Sequence, residues 1–173
     1  EDYACAQSVL SIALELNPTN ADLARLLAEA SWSCGDESMM LDATRAVVRS
    51  DPKDTVALLR LISAKINQHQ TAEARLASYA RYLGPDAVSI DPAVRSRLAL
   101  DAALLEREMG NADGFIERLA LAEKLDPSNK DAVSLSAQIY GQQLTDPVSR
   151  MNLQVKVLMA DPLDPNVHTM IAE

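Results

Sequence analysis

Residues 14–23 read LELNPTNADL: one apolar run closes, a proline stands among polar residues, and a second apolar run opens. The same punctuation returns as VRSDPKDTVAL at 48–58, EKLDPSNKDAV at 123–133 and LMADPLDPNV at 158–167. Proline disfavours helical geometry in the residue before it, so Asn17, Asp51, Asp126 and Asp161 are expected to end helices. Two residues after each proline a polar side chain, Asn20, Asp54, Asn129 or Asp164, is placed to cap the next helix. Pro92 and Pro165 suit a first helical turn, which needs no amide donor there. One short motif thus stops a helix, turns the chain and starts another.

The spacing of these marks is regular. Pro18 and Pro52 lie 34 residues apart, Pro127 and Pro162 lie 35 apart, and the 75 residues between Pro52 and Pro127 hold two such periods plus an insertion. The insertion is visible as Gly84-Pro85, then DAVSI at 86–90, then Asp91-Pro92. Each period holds two amphipathic helices, expected over 2–16, 21–34, 37–50, 54–69, 71–83, 92–109, 112–125, 130–143, 147–160 and from 165 onward. The turns CGDE at 34–37, MGNADG at 109–114 and LTDP at 144–147 are short, which makes successive helices antiparallel neighbours. Gly35 and Gly110 can supply the positive φ that ends a helix. Composition agrees: 48% of residues are apolar but only 3% aromatic, the apolar share is mostly Ala and Leu, and period-two alternation is scarce. The fold class is therefore all-α.

Charge and motifs narrow the chemistry. A net charge of −9 disfavours nucleic-acid binding and anionic membranes, since a phosphate-gripping surface must be basic. No run of 18 apolar residues could span a bilayer, so no membrane insertion is expected. Cys5 and Cys34 lack CxxC spacing and a neighbouring His cluster, so they read as free thiols and no metal is expected. No Gly-rich phosphate loop, G-x-S-x-G or H-E-x-x-H occurs. Paired carboxylates such as Asp36/Glu37 or Glu106/Glu108 carry little weight in an acidic chain. The reading is of a non-enzymatic protein with no catalytic residues and no cofactor. The chain starts at Glu1 rather than Met, which is expected of a piece cut from a longer chain.

These residues resemble a degenerate tetratricopeptide repeat (TPR) array, built of 34-residue helix–turn–helix units with a W-x2-L-G-x2-Y pattern, an A-x3-F pattern and a late proline. Residues 1–18 resemble a second helix alone, through Ala6, Leu10, Ala13 and Pro18. Residues 21–52 resemble a full repeat, with Leu27-Ala28 as the close-packing pair and Gly35 in the turn, although Ala24 and Ser31 stand at the Trp and Tyr places. Residues 55–85 match through Leu58, Leu61 and Ala74. Residues 92–127 match through Ala102-Ala103, Gly110, Leu119 and Ala122, with Phe115 at a small residue's place. Residues 130–162 bring Ser136-Ala137, Tyr140 and Val157, and 165–173 resemble the start of a further repeat. The shared proline phase is the stronger signal. Pentatricopeptide arrays have a similar period but are expected to be basic, and other α-solenoids remain alternatives.

The resemblance implies a single array over 1–173, an α-solenoid of antiparallel helix pairs in a right-handed superhelix, with first helices lining a concave groove for a peptide or helix of a protein partner. It places Asp22, Arg25, Glu29 and Trp32 on that face, then Leu59, Ser63, Ile66 and Asn67. Arg97, Leu100, Leu104 and Arg107 follow, then Asp131, Ser134 and Gln138. The positions where the family grips a C-terminal carboxylate hold Arg25, Glu29, Arg60, Arg97 and Asp101; Glu29 and Asp101 would repel a carboxylate, so a chaperone-type carboxylate clamp is not expected. Trp32 is expected to pack against the neighbouring helix pair rather than anchor a ligand. Tyr79 and Tyr82 are expected to pack, and His69 and His168 to be solvated. The alternative use is structural: a spacer or self-association segment of a longer solenoid. On this reading Leu10, Ala13 and Leu14 of the first helix cannot all be covered from one side, and copies are expected to pair end to end.

Overall fold

The computed structural model describes residues 2–141 and 145–172. Ten α-helices and no strand occur among them: α1 Tyr3–Leu16, α2 Ala21–Cys34, α3 Glu37–Ser50, α4 Thr55–Asn67, α5 Ala72–Leu83, α6 Pro92–Glu108, α7 Ala112–Leu125, α8 Lys130–Gly141, α9 Pro147–Ala160 and α10 Pro165–Ala172. The helix end expected at 142–143, the first residue of the LTDP turn (Leu144) and the terminal Glu1 and Glu173 lie outside the described residues. A short 3-10 turn, Pro85–Ala87, occupies the insertion.

The helix ends form as the proline punctuation demands. Asn17, Asp51, Asp126 and Asp161 each terminate a helix, and their amides still reach the carbonyl four residues back. Asn20 accepts the amides of Asp22 and Leu23, Asp54 that of Ala57, and Asn129 that of Ala132. Each such cap is worth about 1 kcal/mol. Pro92, Pro147 and Pro165 open their helices. Gly35 and Gly110 end theirs at φ 74° and 78°, a left-handed geometry that costs a side-chain-bearing residue about 1–2 kcal/mol.

The chain divides into two compact units, residues 1–69 and 70–173. In the first, α2 packs against α1 and most extensively against α3, and α4 packs on α3. Its core holds Leu27, Ala28 and Ala43, joined by Leu10, Leu14 and Met39, and beside them Ala24, Val47 and Ala57. Small residues at 24, 28 and 43 let the helix axes approach closely, which is the role the sequence assigned to its close-packing pair. In the second unit the α6–α7 pair is the most extensive, α5 packs on α6, and α8, α9 and α10 follow in sequence. Leu98, Ala99, Ala102 and Ala103 of α6 are buried together with Leu119 and Ala122 of α7. Val133, Val157 and Val167 form a further cluster from α8, α9 and α10.

Helix α1 corrects one expectation. Leu10 and Leu14 are half-buried against α2 and α3, and Ala13 is half-buried too. The uncovered apolar face is instead Val9, Ile12 and Leu16, and Leu16 is 83% exposed. The cause is the pitch of the helix: residues 9, 12 and 16 share a stripe turned away from the one that carries 10 and 14. No described helix is long and apolar enough to cross a membrane.

Candidate functional site

The first unit carries a cleft of about 740 Å³ lined mainly by α1 and α3, with Leu14, Met39 and Ala46 among its residues, and the predicted groove residues Asp22, Arg25, Glu29 and Trp32 lie along α2. Buried positions 24, 27, 28 and 31 (Ala, Leu, Ala and Ser) turn α2 toward the core, so Asp22, Leu26, Glu29 and Trp32 fall on its solvent face. Two clefts border this face. One, of about 430 Å³, is lined by Tyr3, Ala6 and Leu10 of α1, by Leu26, Glu29, Ala30, Trp32 and Ser33, and by Arg60 of α4. The other, of about 310 Å³, is lined by Arg25, Ala28, Glu29, Thr44, Val47, Asp54, Val56, Ala57 and Arg60. Both volumes fall in the range of small ligand sites, and Glu29 and Arg60 belong to both.

The two arginines on this face behave differently. Arg25 reaches three carboxylates: its Nη1 donates to Asp22 at 2.8 Å, its Nη2 to Asp51 at 2.7 Å and its Nε to Asp54 at 2.8 Å. It thereby ties α2 to both ends of the DPKD turn, and its guanidinium is held above the usual arginine range, chiefly by the Asp54 hydrogen bond and against partial burial. Arg60 has no hydrogen-bond or ion-pair partner among the described residues, and neither has Glu29. Two unpaired charges of opposite sign therefore face the same pair of clefts.

Trp32 departs from the sequence expectation. It is 68% exposed instead of packed on a neighbouring helix pair, because Ala28 and Ser31 occupy the packed side of α2 at that level. Leu59 and Ser63 of α4 are half-buried and Asn67 is exposed. Ile66 is 0% exposed: it belongs to the core, not to a ligand face. The helical phase that would present it to solvent is the phase that Ile62 and Ile66 share toward the interior.

In the second unit Arg97 is bound by Asp131 and lies 3.7 Å from Asp101, so it joins α6 to the first turn of α8 much as Arg25 joins α2 to α4. Burial pushes the Asp101 carboxyl up, with Arg97 opposing. Leu100 is buried and likewise belongs to the core, because its side of α6 is covered. Leu104 and Ser134 are half-buried and Gln138 is exposed. Arg107 stands over the Phe115 ring, 5.7 Å from its centroid, so its cation already has an aromatic partner. Tyr79 is buried and Tyr82 half-buried, while His69 and His168 are exposed.

Sequence reasoning left Tyr3, Leu26 and Val56 out of the groove set. Leu26 was within reach of it, since it lies four residues after Asp22 on the same helical stripe. Tyr3 enters from another helix, and no local pattern announces that neighbour. Both cysteines are free and exposed. Among the described residues no group of three His, Cys, Asp or Glu side chains could hold a metal ion.

No protein-family model matches the chain, and no curated protein matches it in sequence. Its likeness is to solved structures. The crystal structure of MamA is 16% identical over 99% of this chain and 91% of that one, with a TM-score of 0.52. A second crystal structure of the MamA protein is 18% identical over 93% and 84%, with a TM-score of 0.50. The thermophilic TPR protein TTC0263 of Thermus thermophilus is 20% identical over 98% and 89%, at a TM-score of 0.47. These likenesses and the all-helical architecture define the class: this chain has a TPR-like helical-repeat fold.

Proposed function

We propose that the chain is a non-enzymatic protein-interaction scaffold in which first helices, α2 and α4 of the first unit and α6 and α8 of the second, receive a peptide or helix of a partner protein. In this reading one array runs over 1–173, with a partial repeat at 1–18, repeats at 21–52, 55–85, 92–127 and 130–162, and the start of another at 165–173. Ion pairs between neighbouring repeats support it: Arg25 reaches Asp54, the cap of the next repeat's first helix, Arg97 pairs with Asp131 and Glu123 with Lys156. The likeness to TPR structures makes an interaction scaffold the general expectation.

The observation that carries the proposal is the α2 face. Exposed Leu26 and Trp32, with Tyr3, border a cleft that also holds unpaired Glu29 and Arg60. Large apolar side chains around a cleft, with a few charges to orient a ligand, are what a binding site needs. Affinity capture with the intact chain, compared with Leu26→Glu and Trp32→Ala, tests this. Partners held by the wild type are expected to be lost from both variants; partners retained by both would move the site elsewhere.

A second reading is self-association through uncovered apolar stripes. Val9, Ile12 and Leu16 line α1, and Val148, Met151, Val155 and Met159 line α9 at helical spacing, with Leu163 beyond. Sedimentation of wild type against Leu16→Glu and Met159→Glu distinguishes it: a strict monomer at high concentration in the wild type removes this reading.

A further inference from the structure

We infer that the α2 cleft takes a segment pairing one large apolar side chain with an adjacent Lys or Arg; this rests on the peptide-groove reading and adds the ligand's charge to it. The charge balance around the clefts comes first. Glu29 and Asp54 line the clefts with Arg25 and Arg60, and Asp22 and Asp51, both bonded to Arg25, bring the surrounding face to four carboxylates against two guanidinium groups. Arg25 is already shared by three of those carboxylates, which engage three of its five N–H donors and outweigh its charge. An acidic segment drawn to Arg25 would compete with Asp22, Asp51 and Asp54, and one drawn to Arg60 would meet Glu29 in the same cleft. The region therefore favours a cation.

The place for that cation is specific. Glu29 and Trp32 are three residues apart on α2, on one face, and line the same cleft. A Lys ammonium or Arg guanidinium laid on the exposed indole also reaches the Glu29 carboxylate one turn earlier, which combines a cation–π contact with a charge-assisted hydrogen bond. The neighbouring apolar side chain enters between Tyr3, Leu10 and Leu26. Arg60, on the far wall, donates to main-chain carbonyls of the segment and repels a second cation. The cleft thus selects a single basic residue beside an apolar one, not a polybasic run.

The test selects displayed random twelve-residue peptides on the intact chain. It then titrates the enriched peptides as synthetic ligands, read by emission of Trp32, the only tryptophan. Enriched sequences are expected to carry Lys or Arg next to Leu, Phe or Trp. Their binding is expected to weaken about ten-fold in Glu29→Lys, less in Glu29→Gln, and progressively with added salt. Both variants change an exposed position, and unchanged helical circular dichroism confirms their folds. Enrichment of acidic peptides that depend on Arg60, or of uncharged apolar peptides indifferent to Glu29→Lys but lost in Leu26→Glu, overturns the basic–apolar assignment and leaves the groove standing. No enrichment over the bare support, or peptides that bind Leu26→Glu and Glu29→Lys as well as wild type, overturns the groove reading too.

Discussion

Asp54 serves two elements at once. Its Oδ1 accepts the Ala57 amide at 2.8 Å and caps α4, while its Oδ2 accepts from Arg25 on α2 at 2.8 Å. Burial pushes its carboxyl up, but the Ala57 amide and the Arg25 guanidinium outweigh this, and the net position lies below the ordinary 3.8. The unfolded chain then binds the proton more readily. The stabilisation is complete above the ordinary value and is lost as pH falls through the lowered one. Asp54→Ala is expected to cost about 1–2 kcal/mol by urea denaturation at pH 7, with Asp54→Asn intermediate because it keeps an acceptor for the cap. Asp101 has the opposite sign. Burial raises it and Arg97 offsets only part, so the folded chain holds the proton longer and stability falls as pH climbs from 3.8 through the raised value. Asp101→Asn is therefore expected to leave the pH 7 urea midpoint unchanged or higher; a clear drop would mean that the Arg97 contact dominates. At this scale the capping residues were legible in the sequence, because a cap involves residues two or three apart. The pairing of Arg25 with Asp51 and Asp54 was not, since it joins positions 26 and 29 residues apart.

Among the helices, α1 and α6 mark the extremes. α1 has no buried residue, whereas α6 buries eight, including Leu98 and Ala102. Hydrogen exchange should therefore show α1 opening well before α6, with α2 and α3 between them; equal protection of α1 and α6 would mean that α1 is covered in solution. The α6–α7 turn depends on close approach. A Cβ on Gly114 would lie 2.5 Å from Asn111 Nδ2 and 2.8 Å from Glu106 Cδ, and those two side chains are hydrogen-bonded to each other beneath it. Gly114→Ala is expected to cost about 1–3 kcal/mol in thermal or urea unfolding, as overpacking does. Apart from the end of α8, which falls outside the described residues, the helix spans read from the sequence lie within two residues of the observed bounds, because prolines, caps and glycines act on neighbouring backbone. Which face of each helix is covered was less legible: Trp32 was expected to pack and is exposed, and Ile66 and Leu100 were expected on a ligand face and are buried. Burial depends on the neighbouring helix, and periodicity names a stripe without saying what covers it.

At the scale of the whole molecule, a net charge of −9 sets the response to salt. Association between copies through the α1 and α9 stripes opposes like charge, so it should strengthen as salt screens the repulsion. Binding of a basic–apolar segment at Glu29 and Trp32 should weaken over the same range. Sedimentation and Trp32 titration across about 0.05–0.5 M salt therefore separate the two readings, since each predicts a slope of opposite sign.

The sequence by itself determined an all-helical chain, the turn positions and the repeat phase, since these follow from proline sterics, glycine freedom and side-chain caps acting over a few residues. Only the tertiary structure decided which charges remain free. Asp22, Asp51 and Asp54 converge on Arg25, and Asp101 and Asp131 on Arg97, while Glu29 and Arg60 stay unpaired among the described residues, beside Tyr3, Leu26 and Trp32. Ion pairing and exposure are set by distance in space between residues far apart in the chain, and helix packing alone supplies that distance.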